Sequence, residues 1–242
     1  MTASDIPLRP GHFIGGRYID ADGAIDVVSP STGAGLGAIA RADEALVDAA
    51  VAAARKALDT SGWAGLAPRA RVRAMHAWAD LIEAEAATIA RLEAVCSSRP
   101  QAEARTGDVV TSAEQIRFFA EFADKEAGTL VPTSDAQFGF IDDAPYGVIG
   151  AITPWNFPLN MAAWKLGAAL AAGNAVVIKP SEMTPWTTLY VAELAVRAGL
   201  PEGLINVVMG DGPVTGAAIT GHPGIDKVSF TGSTRAGAAI ME

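Results

Sequence analysis

The sequence predicts an α/β fold: N-terminal helices followed by an incomplete doubly wound parallel sheet. Half of the 242 residues are hydrophobic, which is enough to build a large buried core. Up to Gly128, apolar residues recur mainly at helical spacing. From about Pro145 onward, short apolar runs alternate with helical stretches, the pattern of strand–helix–strand units whose parallel sheet is covered on both faces.

The elements follow in order. Phe13 to Val28 mixes short alternating apolar runs with Gly15-Gly16 and Asp22-Gly23, so a small hairpin is expected there, packed as an edge ribbon. Asp43 suits a helix N-cap, because Leu46, Val47, Ala50, Val51, Ala54 and Leu58 then fall on one helical face. Pro68 suits the first turn of a second helix, whose stripe of Val72, Met75, Ala79, Ile82, Ile89, Leu92 and Val95 runs to Ser97-Ser98, with a break expected near Glu85. A third helix is expected after Pro100, running to Gly128. Glu83, Glu85, Arg91 and Glu93 read as a solvated face of these helices. Phe138 to Ile141 reads as extended.

Beyond Pro145, strands are expected at Tyr146 to Thr153, Ala175 to Ile178, Ile205 to Met209 and Lys227 to Phe230. Helices are expected at Leu159 to Ala172, Pro185 to Ala198 and Val214 to Thr220, with a last one from Thr234 that has barely begun at Glu242.

Composition removes several function classes. Eighteen basic residues against 27 acidic ones give a net charge of -9 and form no basic stripe, so no nucleic-acid partner is expected. The opening MTASDIPLRP has neither the charged start nor the apolar middle of a secretory leader, which makes the cytoplasm the expected compartment. The most apolar region, Met161 to Ile178, is interrupted by Lys165 and Asn174 and is too short and polar to cross a bilayer. One cysteine, Cys96, excludes an internal disulfide, and it reads as a buried structural thiol. His12, His76 and His222 share no ligand spacing, so no metal is expected.

A doubly wound sheet binds ligands at the carboxyl ends of its strands. The polar and glycine-rich clusters TPWN, KPSE, GDG and TGS fall there. Phe230-Thr231-Gly232-Ser233 leads directly into a helix start, whose free amides suit a phosphate, although an ordinary N-cap by Ser233 is the commoner meaning of such a stretch. Gly210-Asp211-Gly212 would let the backbone approach a flat ligand, or could be a simple turn. Lys179 and Glu182 could donate to and accept from vicinal ribose hydroxyls, and the carboxylate would repel a 2′-phosphate; a surface ion pair explains them equally well.

In Thr153-Pro154-Trp155-Asn156-Phe157-Pro158, two prolines restrain the backbone and two rings can exclude water. The Asn156 amide could thus be a preorganised donor to a developing oxyanion, or no more than a turn residue. Phe157, Asn160, Met161 and Trp164 stand at i, i+3, i+4 and i+7, so they could line a substrate passage, while a packed core stripe is the commoner meaning of that spacing.

Taken together and in this order, the clusters resemble the aldehyde dehydrogenase superfamily. The resemblance runs from about Phe13-Ile14-Gly15-Gly16 to the last residue. It includes Pro145-Tyr146-Gly147-Val148, Ile152 through Pro158, Ala171-Ala172-Gly173-Asn174, Lys179-Pro180-Ser181-Glu182, Gly199-Leu200-Pro201 and Val228 through Ser233. It implies a Rossmann-related fold in which residues 1–128 and 147–242 form a cofactor-binding domain and 129–146 form an extended arm of the oligomerisation region. It implies that Asn156 stabilises an oxyanion, that Ile152, Thr153, Pro154, Trp155, Lys179, Pro180, Ser181, Glu182, Gly212, Phe230, Thr231, Gly232 and Ser233 bind the cofactor, and that NAD is expected over NADP because of Glu182.

The substrate class implied is a small-molecule aldehyde oxidised to a carboxylic acid, within a homo-oligomer of the full-length family member. The family's nucleophilic cysteine and general-base glutamate lie in a catalytic domain beyond Glu242, and Cys96 does not match the nucleophile's position. On this reading the chain alone is inactive. The alternative is a short, non-catalytic protein that binds nucleotide or associates with a partner. Ser98-Arg99-Pro100 departs from the family's frequent Gly-Lys-Pro, and the arm around Asp142-Asp143 is more acidic than usual.

Overall fold

The computed structural model describes residues 8–242, so most of the opening segment read for a leader lies outside the described residues. Two hairpins come first. β1 (His12–Ile14) and β2 (Arg17–Ile19) are joined by Gly15-Gly16, both at positive φ, the geometry a tight hairpin turn demands and glycine supplies without steric cost. β3 (Ile25–Val28) pairs antiparallel with β4 (Gly35–Ile39), a strand the sequence reading did not anticipate. Asp22-Gly23 therefore lies between the hairpins, and the second turn is closed where Ser29 donates to Ala34 O and Gly33 donates to Ser29 O.

The N-terminal helices fall close to expectation. α1 (Glu44–Ser61) is capped by Asp43, whose carboxylate accepts from the Leu46 amide. α2 (Pro68–Ala84) and α3 (Ala86–Ser97) are separated at Glu85. After Pro100, one turn of helix, α4 (Gln101–Glu103), passes through a π-helical stretch (Ala104–Asp108) into α5 (Val109–Phe122). This helix stops at Phe122 and not at Gly128. The Ala123 and Lys125 amides turn back to Ala120 O and Phe122 O, and the Lys125 ammonium binds Glu121 O, so the last carbonyls are satisfied by a turn and a cation. β5 (Thr129–Val131) and β6 (Gly139–Ile141) then form a two-stranded ribbon of their own.

The remainder alternates as predicted: β7 (Val148–Ile152), α6 (Pro158–Ala171), β8 (Ala175–Lys179), α7 (Trp186–Arg197), β9 (Ile205–Val207), a π-helical turn (Gly212–Gly216) into α8 (Ala217–Thr220), β10 (Lys227–Phe230) and α9 (Thr234–Met241). The main sheet has the order β10-β7-β8-β9-β1-β2. Its pairs from β10 to β9 are parallel, and the first hairpin adds antiparallel at the β9 edge. β7 and β8 are buried at every position, as a sheet covered on both faces requires.

α1 packs on one face of the sheet; α6 and α7 pack on the other, with α2, α3 and α5 forming a further layer over them. Indole N–H groups tie the layers together: Trp63 Nε1 donates to Leu170 O at 3.0 Å and Trp78 Nε1 to Val191 O at 2.9 Å. Both indoles are fully buried, where an unpaired N–H would be costly. No helix among the described residues is long and apolar enough to cross a membrane.

Candidate cofactor and oxyanion site

Strand order determines where a ligand can enter. From β7 the chain moves through α6 to β8 and on to β9, yet β10 lies on the opposite side of β7. The direction of winding therefore reverses between β7 and β10, and a crevice opens beyond the carboxyl ends of strands at such a switch point. The parallel register aligns Phe230 with Ile152 and Ile152 with Lys179. Past that row, Thr231 N donates to Ile152 O and Thr153 N to Lys179 O, both at 3.1 Å, so the loops after these strands start side by side.

Lys179 is the fixed point of the floor. It is 3% exposed, and its ammonium donates to Pro180 O at 2.8 Å and Gly210 O at 3.0 Å, with a Glu182 carboxylate oxygen 3.6 Å away. Burial pulls its pKa below the ordinary lysine value while Glu182 opposes that shift. The cation thus binds the KPSE and GDG turns to each other. Ser181 is buried and its Oγ accepts from the Met183 amide at 3.3 Å. Gly210 sits at φ 149, where a Cβ would overlap the Thr215 hydroxyl, so glycine is required. Gly212 faces open space. Asp211 caps the turn that follows, accepting from Val214 N at 2.9 Å, and pairs with Arg41.

On the other side of β7, Ser233 adopts the ordinary N-cap role, its Oγ accepting from Ala236 N at 3.2 Å at the start of α9. Gly232 leaves no room for a side chain, because a Cβ would strike the Phe230 ring. Thr231, Gly232 and Ser233 are exposed.

The Thr153–Pro158 turn stands between these two groups. Ile152 and Thr153 are buried, and the Thr153 hydroxyl has no hydrogen-bond partner. Pro154 is half-buried, whereas Trp155, Asn156 and Phe157 are exposed, Trp155 to 56%. The Asn156 amide makes no hydrogen bond among the described residues, so its donor capacity is not spent within the fold. The Arg99 guanidinium lies 4.6 Å over the Phe157 ring and forms an ion pair with Asp108, Nε to carboxylate oxygen 2.7 Å.

The proposed passage residues separate. Phe157 and Trp164 are exposed and Met161 is half-buried, but Asn160 is buried, its amide donating to Ser112 Oγ at 3.0 Å and Asp108 O at 3.3 Å. Asn160 therefore joins α6 to the layer above it and takes the core role, because a buried amide is held where its hydrogens find acceptors.

Two charged side chains are drawn into the fold, Lys165 half-buried and Glu93 fully buried. Lys165 reaches across to Ser229 on β10 (2.9 Å), and burial lowers its pKa. Glu93, read as solvated, is 1% exposed. Its spacing held the signal, since it stands four residues after Ile89 and three before Cys96, on the buried stripe of α3. Cys96 is buried as expected, its thiol pushed up to about 12 by burial, which keeps it protonated near neutrality. No cluster able to hold a metal ion occurs among the described residues.

Residues 18–242 match the model of the aldehyde dehydrogenase family. DhaS of Bacillus subtilis (strain 168) is 44% identical over 231 residues, covering 95% of this chain and 47% of DhaS. The NADP/NAD-dependent aldehyde dehydrogenase PuuC of Escherichia coli (strain K12) is 41% identical over 232 residues, with the same 95% and 47% coverage. Among solved structures, the NAD+ complex of an aldehyde dehydrogenase from Bacillus cereus superposes with a TM-score of 0.93 at 39% identity, covering 98% of this chain and 49% of that one. The chain thus spans about half the length of the curated relatives it matches.

Proposed function

Because the chain belongs to the aldehyde dehydrogenase family, we propose that it supplies the dinucleotide-binding and oxyanion-stabilising parts of an NAD-dependent enzyme that oxidises an aldehyde to a carboxylic acid. The observation that carries this reading is that the turns bearing Asn156, Lys179 with Glu182, and Phe230–Ser233 leave the carboxyl ends of adjacent parallel strands at the switch point, with Lys179 tied to the Gly210 turn that leads to Gly212 and the Asn156 amide exposed and unengaged. The residues suit a dinucleotide: a cation–carboxylate pair for the ribose, a glycine open to close approach for the adenine, and an exposed helix start after Gly232 for the pyrophosphate. Bound there, the nicotinamide would supply the hydride acceptor.

The chain's own groups do the rest. Ile152, Thr153, Pro154, Trp155, Pro180, Ser181, Phe230 and Thr231 shape the crevice, and Glu182 favours free ribose hydroxyls, hence NAD over NADP. Asn156 donates to the oxygen of the aldehyde as negative charge develops on it, from a turn that Pro154 and Pro158 keep from rearranging. The nucleophile and general base are assigned to sequence outside this chain, since Cys96 is buried and protonated. Phe157, Met161 and Trp164 are assigned to the aldehyde's approach. Residues 129–146 are assigned to an oligomerisation arm, supported by the exposure of Leu130, Phe138, Phe140 and Ile141, and the compartment to the cytoplasm.

Calorimetric titration of the purified chain tests the cofactor assignment. NAD should bind more tightly than NADP, and Glu182→Gln should narrow that preference; a chain that binds neither dinucleotide sinks the proposal. NADH formation from an aldehyde by this chain alone would overturn the placement of the nucleophile elsewhere.

A further inference from the structure

Between α3, α6 and α7 lies a carboxylate for which the proposed function has no use. Glu93 is 1% exposed, and neither of its oxygens has a hydrogen-bond partner. The groups facing it come from every neighbouring element. They are the Leu159 amide at the start of α6, the Thr187 hydroxyl of α7, Asp108 of the π-helical stretch, Arg99 of the loop after α3, and Cys96 on its own helix. The Leu159 amide and Thr187 hydroxyl favour the charged form without closing to full hydrogen bonds.

The start of α6 needs an acceptor. Phe157 provides no side-chain cap, and Pro158 at the first helical position has no N–H, so Leu159 carries the first helical amide lacking an intrahelical partner. An anion there is favoured by both the amide and the helix dipole. Asn156 is only three residues before Leu159, and the intervening Pro158 has a ring-restricted φ. Asp108 reaches the same turn from another direction, through Arg99 and the Phe157 ring.

We propose that Glu93 is a positioning residue for Asn156: its carboxylate serves as the N-terminal anion of α6, supplied from α3, and a proton gained or lost there loosens or tightens the turn that presents the Asn156 amide. Calling Asn156 an oxyanion donor rests on the proposed function, whereas the coupling of Glu93 to the turn does not. Burial pushes the Glu93 carboxyl up to about 7, which brings this exchange close to neutral pH, and Asp108 is raised by burial against the opposing pull of Arg99. A buried, incompletely paired carboxylate is costly to keep, and such costs concentrate where they serve a site.

The test is a pH titration of the isotopically labelled chain from pH 5.5 to 8.5, following the Leu159 backbone amide and the Asn156 side-chain amide by NMR. Both should shift with one midpoint near 7, and both should be flat in Glu93→Gln. Flat signals in the natural chain, or a titration that survives Glu93→Gln, overturn the proposal. Should Glu93→Gln fail to fold, Asp108→Asn replaces it: a titration that persists with its midpoint moved down, because the Asp108 charge helps to raise Glu93, supports Glu93, and its disappearance assigns the proton to Asp108. NAD titration of the same sample keeps the two readings apart, since failure to bind would end the cofactor assignment and leave the Glu93 result standing.

Discussion

His12, on β1, gives the sharpest stability test of how the first hairpin joins the sheet. Its ring is 1% exposed, and Nδ1 accepts from the Met209 amide at 2.9 Å, where β9 runs out toward Gly210. That bond needs the neutral ring, and burial lowers the pKa from 6.5 to about 4, with Asp43 opposing. Because the folded state binds the proton more weakly than the unfolded one, stability is full above pH 6.5 and falls as the pH drops toward 4. A shift of about 2.5 units at about 1.36 kcal/mol each limits the loss to about 3.4 kcal/mol, of which about 2 kcal/mol is reached at pH 5.

Glu93 works in the opposite direction over nearly the same window. Its raised pKa makes stability fall as pH climbs from about 4.5 to about 7. The natural chain's own profile therefore shows neither effect cleanly. The informative quantity is a difference: urea unfolding of the natural chain and of His12→Asn at pH 5 and pH 8. Asparagine can keep an acceptor near the Met209 amide but cannot titrate. Whatever packing the variant loses should appear at both pH values, and about 2 kcal/mol less of a gap should remain at pH 5. Parallel profiles would refute the claim that His12 is buried as a neutral acceptor.

Two further outcomes follow from the same geometry. Gly210→Ala should destabilise the fold by about 1 to 3 kcal/mol in chemical unfolding, because its Cβ would drive into Thr215, whose hydroxyl holds Ala42 O at 2.7 Å, and it should weaken NAD binding by shifting a carbonyl that Lys179 grips. Wild-type stability in that variant would show that the turn can relax at little cost. Cys96 should resist iodoacetamide at pH 7.5 until denaturant is added, read by mass spectrometry; rapid labelling of the native chain would contradict its burial.

Elements with strong local signals were legible in the sequence. The Asp43 cap, the Glu85 break and the β7–α6–β8–α7 alternation each rest on periodicity or capping chemistry that a few neighbouring residues carry. β4 was not legible, since Gly35-Leu36-Gly37-Ala38-Ile39 has weak strand propensity and forms only because β3 supplies its ladder. Burial of Glu93 and Asn160 was settled beyond their neighbouring residues: spacing left Asn160 open between a passage and a core stripe, Glu93 reads as solvated by its charge, and both sit on helix faces that other helices cover.

By itself, then, the sequence determined the order of strands and helices, the placement of TPWN, KPSE, GDG and TGS after strands, and a set of motifs specific enough to name the family. These depend on neighbouring residues and their spacing. Tertiary structure alone decided that Phe230, Ile152 and Lys179 stand in one row, that the Lys179 ammonium joins two turns about 30 residues apart (Pro180 O and Gly210 O, a separation of 31 for the latter), and that Glu93 lies buried facing the Leu159 amide at the start of α6. Sheet order and layer packing bring together residues that are distant along the chain, and the dielectric environment they create there sets the charge of each group.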